Sequence, residues 1–231
     1  MPRMAVADRR RALVDAAVRV IARDGVAGAT TRAVVAEAGM SLASLHYAFP
    51  SREHLLEAVV AEVTVQERLA AEVGLLPLPE DPAGPAERAL EDVIRDGLER
   101  YVDLLEADPQ REQALLELAL YAMRTPGQRA SIVAQYDVYR ASAAASLTAA
   151  ALATGSRWTV PLDDAARALV MVTDGLTTAW LADRDTDAAR RTARFAARAL
   201  AALAEPAPAA AAPAAAVPAA VPAPTPEEPP C

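Results

Sequence analysis

The sequence is poor in the residues that form disulfides, metal sites and many active centres. It has 1 cysteine, Cys231, so a disulfide within the chain is excluded and a reducing cytoplasm is the expected location. Its 2 histidines, His46 and His54, cannot form a zinc site with that single cysteine. No glycine-rich phosphate loop and no nucleophile elbow occurs in the sequence. We therefore expect no enzymatic activity, no cofactor and no bound metal.

Aromatic residues and glycines are also scarce. Aromatic residues make up 4% of the chain, and there are 9 glycines, although 53% of the chain is hydrophobic. The apolar side chains must then be mostly alanine, leucine and valine. Alanine and leucine favour helices, and the few glycines leave few breaks. Alternating patterns typical of strands are hard to find. The composition therefore predicts an all-α fold.

Lysine is absent, so arginine supplies all 23 positive charges, against 31 acidic residues. The net charge of −8 would by itself argue against a nucleic-acid partner. The charge is unevenly distributed, however, because residues 1–60 carry 8 arginines and only 6 acidic residues. An acidic body with a mildly basic head is typical of a protein that contacts DNA only through its head.

Helical periodicity, interrupted by glycine and proline, predicts nine helices. They cover residues 8–24, 32–38, 42–47, 52–73, 86–107, 110–124, 128–154, 162–183 and 186–204. Residues 205–231 are nearly all alanine and proline, and the frequent prolines exclude a membrane-spanning helix there. We predict a DNA-binding domain at 8–60, a ligand-binding and dimerisation domain at 61–204, and a disordered tail at 205–231. No membrane partner is expected.

The second and third helices are joined by the short turn Gly39-Met40-Ser41, which predicts a helix-turn-helix motif. Gly39 supplies the left-handed backbone that lets the chain leave the second helix sharply. In such motifs the second of the two helices enters the major groove of DNA. We expect four side chains to pack inside and fix the angle between the helices, namely Val35, Ala36, Met40 and Leu45.

The residues around this turn resemble the signature of the tetracycline-repressor (TetR) family. The similarity covers about residues 9–60 and consists of Thr30-Thr31-Arg32 and the runs 36–41 and 45–55. The nine-helix layout and the element Thr173-Asp174-Gly175-Leu176 also resemble this family. The segment 116–126 resembles the choline-repressor (BetI) type of C-terminal domain. The resemblance implies a transcriptional regulator, expected to be a repressor that a small ligand releases from a palindromic operator.

The resemblance also assigns roles to single residues. Thr31 and Tyr47 would bind backbone phosphates, and Arg32 would reach a guanine edge, where a bidentate contact discriminates by about 1–3 kcal/mol. Arg52 stands where lysine is usual at the start of the fourth helix, and His46 replaces the commoner tyrosine. The predicted DNA-binding residues are Thr31, Arg32, Ser41, Leu42, Ala43, Ser44, His46, Tyr47 and Arg52.

A head of this size makes few base contacts alone, so we expect a homodimer whose two heads lie about 34–36 Å apart on double-stranded DNA. The eighth and ninth helices are the predicted dimer surface, because their small side chains permit close approach. The alanines that favour this surface are Ala165, Ala166, Ala168, Ala179, Ala182, Ala189, Ala193, Ala196 and Ala197.

In the family, helices four to seven enclose an effector pocket, which implies a hydrophobic or aromatic small molecule. The ligand would shift the fourth helix and so change the spacing of the two heads. Asp174 lies in an apolar run, where we expect it to form a hydrogen bond between helices. The candidate lining residues are Tyr101, Leu105, Leu116, Tyr121, Met123, Tyr136, Tyr139, Met171 and Trp180.

Other functions stay open on the sequence alone. A dimeric helical ligand-binding or adaptor protein without DNA binding fits the net acidity and the small positive charge of the head. An enzyme that uses the body pocket would need a convergent acid–base pair, which the sequence does not contain. Activation of transcription fits as well as repression, and neither the effector nor the operator can be read from the residues.

Overall fold

The computed structural model describes residues 5–62 and 88–208. These residues form nine α-helices and one small antiparallel sheet, which confirms the predicted all-α fold. The helices are α1 (Val6–Gly28), α2 (Thr31–Glu37), α3 (Leu42–Ala48), α4 (described over 52–62), α5 (Leu90–Ala107), α6 (Pro109–Arg124), α7 (Arg129–Ala153), α8 (Leu162–Asp183) and α9 (Thr186–Ala201). The strands are β1 (Ser156–Trp158) and β2 (Ala204–Pro206).

Local side-chain chemistry determines where several helices begin. Short polar side chains accept a hydrogen bond from the backbone amide three residues later, and this satisfies a donor that the helix leaves unpaired. The acceptors are Thr30 before α2, Ser41 before α3, Ser51 before α4, Asp108 before α6 and Asp185 before α9. The starts of these five helices are therefore encoded locally.

The head core joins α1, α2, α3 and α4 and includes one face of α6. Leu13 and Ile21 of α1 are fully buried there, and so is Leu45 of α3. From α6 the head core receives Ala114, Leu115 and Leu118. The N-terminal helices therefore bury their apolar faces partly against a helix that begins only at Pro109.

The body core lies between α5, α7, α8 and α9. Leu98, Val102 and Leu105 of α5 are fully buried in it, and Trp180 of α8 donates a hydrogen bond to Thr186 at 3.0 Å. Arginines spaced one turn apart on α9 pair with acids of α5 in reverse order, which makes the two helices antiparallel. The pairs are Arg190 with Asp103, Arg194 with Glu99 and Arg198 with Glu91.

The predicted alanine surface on α8 and α9 is largely internal to the protomer. Six of the nine alanines are buried in the body core, where they let α8 and α9 approach their neighbours closely. Periodicity alone did not separate this inward face from the outward one. The buried six are Ala165, Ala166, Ala189, Ala193, Ala196 and Ala197. Of the remainder, Ala179 and Ala182 are exposed and Ala168 is half-buried.

A two-stranded clip was not predicted from the sequence. β1 pairs antiparallel with β2, so that Arg157 lies opposite Glu205 and Trp158 lies opposite Ala204. The indole nitrogen of Trp158 donates to the carbonyl of Leu147 at 3.3 Å. Because β2 begins at Ala204, α9 ends at Ala201 instead of at residue 204. Strands of three residues are too short to give a periodic signal.

Two predicted segments lie outside the described residues: the end of the fourth helix, at 63–73, and the alanine- and proline-rich tail from 209 onwards. The tail was predicted to be disordered from residue 205, but Glu205 and Pro206 belong to β2, where they pair with β1. Across the two ranges that the structure covers, no helix combines the length and apolar character that crossing a membrane requires.

The helix-turn-helix angle depends on Gly39, whose φ is +63° and whose missing side chain would meet no atom within 4 Å. We predict that Gly39→Ala lowers the free energy of unfolding by about 1–2 kcal/mol, because alanine adopts the left-handed backbone conformation less readily than glycine and no steric clash adds to this penalty. Gly39→Asn is the matched control and should lose less, since asparagine tolerates this conformation. Equal losses in urea denaturation of the two variants would contradict this explanation.

Candidate nucleic-acid interface and ligand cavity

Helix α3 presents a short face to solvent. Leu45 and Ala48 hold it in the head core, whereas Ala43 and His46 are exposed on the other side. Leu42 is 39% exposed and Tyr47 is 65% exposed, although both are large and mainly apolar. An uncovered face of this kind on the second helix of a helix-turn-helix is suited to the edges of bases in a major groove.

The residues that lead into α3 are held by hydrogen bonds. Ser41 accepts from the amide of Ser44 at 3.2 Å, and the two hydroxyl oxygens are 3.0 Å apart. Val35 and Leu45 are buried and Met40 is half-buried, as expected, but Ala36 is exposed. At the start of α2, Thr31 is half-buried and Arg32 is exposed. The side chain of Arg32 is therefore open to solvent where α2 begins.

Two arginines of α1 that the sequence analysis did not single out contact the end of α3. Arg10 donates to the carbonyl of Ala48 at 2.5 Å, and its guanidinium lies 4.2 Å from the ring centre of Phe49. Arg9 lies 5.4 Å from the ring centre of Tyr47. A cation at a helix C-terminus stabilises unpaired carbonyls, so Arg10 fixes the position of α3. The run Arg9-Arg10-Arg11 was the available signal.

Arg52 has a structural partner that the sequence did not reveal. Its Nε donates to the carbonyl of Ala29 at 2.8 Å, and an Nη atom donates to the carbonyl of Val26. These two carbonyls lie at the C-terminal end of α1, beyond Gly25, where the backbone of the helix is not helical. Arg52 therefore ties the start of α4 to the end of α1, and its contact with DNA phosphate stays a prediction.

The outer side of the head carries a small ion-pair network. Glu37 of α2 accepts from Arg19 at 2.8 Å and from Arg23 at 3.1 Å, both on α1. The hydrogen bond from Arg19 and, to a smaller extent, that from Arg23 lower the pKa of the Glu37 carboxyl below its ordinary value. The pairs are exposed and contribute little stability, but they hold α2 against α1.

A cavity of about 160 Å³ lies in the body between α5, α6, α7 and α8. Apolar side chains form part of its wall, and three tyrosines, two carboxylates and other polar groups form the rest. The lining residues are Tyr101, Glu112, Leu115, Leu116, Ala119, Ile132, Gln135, Tyr136, Tyr139, Asp174, Thr177 and Thr178. A neighbouring cavity of about 400 Å³ shares Ile132 and Tyr136 with it.

The nine residues predicted to line a pocket have different positions. Four of them line the smaller cavity, namely Tyr101, Leu116, Tyr136 and Tyr139, and Met123 lines the neighbouring one. Leu105 and Trp180 are buried in the body core, and Tyr121 packs against the head core. Met171 is 67% exposed on α8. Helical spacing could not distinguish a cavity-facing position from a core-facing or outward one.

Polar groups of the cavity are paired across helices. The hydroxyl of Tyr136 donates to Asp174 at 2.9 Å, which confirms the expected hydrogen bond between helices at Asp174. The hydroxyls of Tyr101 and Thr177 are 2.5 Å apart, and Gln135 donates to Tyr139. Glu112, Gln135 and Thr177 were not predicted to line the cavity, since polar residues within amphipathic helices are usually exposed.

Glu112 is the most unusual of these groups because it is only 8% exposed. Burial raises the pKa of the Glu112 carboxyl to about 6, against the opposing effect of neighbouring Arg111. Burial also raises the pKa of Asp174, although the hydrogen bond from Tyr136 lowers it. Desolvation disfavours the charged form of a carboxylate, and this accounts for both directions.

Helix α6 connects the cavity to the head. Leu115 belongs to the head core and also lines the cavity, and its neighbours Glu112 and Leu116 line the cavity as well. Ala114 and Leu118 point into the head core. A molecule in the cavity would therefore touch a helix that packs directly on α1.

Comparison with known proteins identifies the family. Residues 13–59 match the family model described as bacterial regulatory proteins, tetR family. The chain is also 30% identical over 181 residues to the HTH-type nicotine-responsive transcriptional repressor HdnoR of Paenarthrobacter nicotinovorans. The aligned residues make up 78% of this chain and 88% of HdnoR. The chain belongs to the TetR family. It is thus a transcriptional regulator of a family that consists of regulators and not of enzymes, as predicted.

Solved structures share the fold of this TetR regulator. A TetR-family transcriptional regulator from Mesorhizobium loti superposes with a TM-score of 0.69 at 17% identity, covering 87% of this chain and 99% of that one. The multidrug binding protein EbrR, complexed with imidazole, has 27% identity and a TM-score of 0.54, covering 88% of this chain and 93% of that one. At 17% identity, the similarity to the Mesorhizobium loti protein shows that the two chains share a fold, but not that they share a function.

The buried carboxylate of this TetR regulator generates a pH prediction. Its pKa of about 6 exceeds the ordinary value of 4.5, so the folded state binds the extra proton between these pH values. Stability is therefore lost as pH rises through about 6, and Glu112→Gln should raise the free energy of unfolding by about 2 kcal/mol at pH 7. The gain should vanish near pH 4.

Urea denaturation of ligand-free protein at several pH values measures this effect. Glu117→Gln is the control, because Glu117 lies on the same helix outside the cavity lining. A Glu112→Gln variant no more stable than the parent at pH 7 would show that the carboxyl is not held in an unfavourable environment.

Proposed function

We propose that this regulator binds a palindromic operator as a homodimer and represses transcription until a small molecule enters its cavity. The uncovered face of α3 is the observation that carries the proposal, since Leu42 and Tyr47 are exposed on a helix whose opposite side is buried. Operator binding also implies a cytoplasmic location.

The DNA contacts are inferred residue by residue. Arg32 is exposed and can reach a guanine. Leu42 and Ala43 suit the methyl group of thymine. Ser44 and His46 suit the polar edges of bases. Phosphate contacts are assigned to Thr31, Ser41, Tyr47 and Arg52. Arg9 is added to this group, because its guanidinium lies beside the Tyr47 ring on the same open side of the head.

The dimer is inferred from the outward faces of α8 and α9. Met171 of α8 and Phe195 of α9 are 67% and 74% exposed in the single chain. Phe195 has the exposed small residues Thr192 and Ala199 one turn away on either side. Ala179, Ala182 and Gly175 on α8 lie at helical spacing on the exposed side. Exposed large apolar side chains with small ones beside them suit helix packing against a second copy.

The effector is inferred from the cavity and from two relatives. HdnoR is a nicotine-responsive repressor, and EbrR is a multidrug binding protein seen with imidazole. A small hydrophobic or aromatic molecule is consistent with the tyrosines and aliphatic side chains of the cavity wall. The choline-repressor resemblance of residues 116–126 stays a prediction.

The ligand would act by favouring a conformation that cannot span two half-sites. It can shift the equilibrium only by its difference in affinity for the two conformations. We expected the fourth helix to carry this change, and its end lies outside the described residues. The packing of α6 on α1 supplies a second route, because Leu115 contacts both the head core and the cavity.

We predict that the purified protein enriches one palindrome from a library of fragments of the source genome at moderate salt. Arg32→Ala with Tyr47→Ala should abolish the enrichment, because a base contact and a phosphate contact are lost together. Arg157→Ala, an exposed arginine of the body, is the control and should bind normally. Because the salt dependence of DNA binding follows the cations that neutralise phosphates, loss of the uncharged Tyr47 alone should leave it unchanged.

Failure to enrich any palindrome in the presence or absence of ligand would contradict operator binding. The protein would then be better described as a ligand-binding adaptor without DNA binding.

We predict that Phe195→Asp weakens the dimer at least about a hundredfold, because each of two symmetric copies loses a buried aromatic contact and gains a buried charge. Sedimentation equilibrium measures the dissociation constant, and operator affinity should fall with it. Leu152→Asp removes a side chain that is 78% exposed on α7 and serves as the matched control. An unchanged dimer in Phe195→Asp would rule out this face.

A further inference from the structure

The cavity has an unbalanced charge. Two carboxylates, Glu112 and Asp174, line it, and no arginine occurs among the described residues of its wall. Asp174 already accepts a hydrogen bond from Tyr136, whereas the side chain of Glu112 has no hydrogen-bond partner within residues 5–62 and 88–208. The cavity therefore holds an ionisable acid that lacks a compensating donor.

A buried carboxylate without a partner is unfavourable, because it has lost its hydration and received no hydrogen bond in return. The nearest base along the chain is Arg111, which acts on Glu112 only through its charge and does not line the cavity. Among the described residues, two nitrogens of Arg111, Nε and Nη2, are themselves buried without a hydrogen-bond partner. The protein thus leaves Glu112 available to a group that comes from outside.

The aromatic side chains of the cavity suit the same kind of group. Tyr101, Tyr136 and Tyr139 come from α5 and α7, and the rings of Tyr136 and Tyr139 are 5.6 Å apart in an edge-to-face arrangement. The face of an aromatic ring attracts cations, and more strongly in a desolvated site. A ligand with a carboxylate or phosphate would instead meet two like charges and no base.

We propose that the effector is a small organic ammonium ion with an apolar or aromatic body, held by Glu112 and by the tyrosine faces. The inference rests on the proposed function, since it assumes that this cavity is the effector site. Glu112 is the principal charge partner, and the pair of Asp174 with Tyr136 supplies a second negative group on α8. Leu115, Leu116 and Ile132 enclose the apolar part of the ligand.

The volume of the cavity limits the size of this cation. At about 160 Å³ it is smaller than the roughly 300–1,000 Å³ pockets that take drug-sized molecules. A one- or two-ring amine fits this volume. A longer cation would extend past Ile132 and Tyr136 into the neighbouring cavity, and only its uncharged end would suit that cavity, because Arg129 and Arg140 line its wall.

The test compares charged and neutral probes of similar shape. Calorimetry on the full chain at neutral pH would use nicotine, whose pyrrolidine nitrogen is protonated, and its lactam cotinine, whose corresponding nitrogen is not. Benzyltrimethylammonium, which carries a permanent charge, is the second cation. We expect both cations to bind and cotinine to bind at least about tenfold more weakly than nicotine.

Variants assign the charge recognition to its residue. Glu112→Gln should weaken both cations about tenfold and leave cotinine unchanged, and Asp174→Asn should have a smaller effect in the same direction. Glu117→Gln on the same helix is the control. Cotinine binding as tightly as nicotine, unchanged cation affinity in Glu112→Gln, or no binding by either cation would each overturn the proposal.

Operator binding without ligand, measured on the same preparations, separates the two claims. A protein that retains its operator but ignores the cations disproves only the ammonium proposal. A protein that binds the cations but no operator disproves only the proposed regulation.

Discussion

The packing of α6 against α1 is the contact on which the arrangement of this regulator depends. The head helices are short, and their core is completed by Ala114, Leu115 and Leu118 from a helix of the body. Small domains bury too little apolar surface to be very stable alone. The head therefore shares its core with the body, and its orientation follows that of α6.

The same helix brings opposing requirements together. One side of α6 needs close apolar packing, and another side supplies Glu112 to the cavity in its first turn. A carboxylate there interacts favourably with the helix dipole, yet burial still raises its pKa. Stability is sacrificed at a position from which a bound molecule can act on the head. Such unfavourable groups are concentrated at functional sites, and Glu112 fits that pattern.

Much of the architecture could be predicted from the sequence because its signals are local. Thr30, Ser41 and Ser51 begin their helices with side-chain hydrogen bonds, and Gly39 ends α2 with a left-handed residue. The helix-turn-helix and its family follow from such features.

The cavity, the clip of β1 with β2 and the roles of Arg10 and Arg52 could not be predicted, because they depend on contacts between distant segments. A period of 3.6 residues defines an apolar face but not what it faces. Leu105, Trp180 and Met171 resembled cavity residues for that reason, whereas Glu112 resembled an ordinary surface acid.

Native-state hydrogen exchange in increasing urea tests most directly whether α6 forms one unit with the head. Amides in the middle of α1, around Ala17, and amides of α6 from Ala114 to Leu118 would be followed together. A shared core predicts that both sets open with the same free energy and the same urea dependence. If α6 instead exchanged with α8 while α1 opened separately at lower urea, the head would not be coupled to the cavity through this helix.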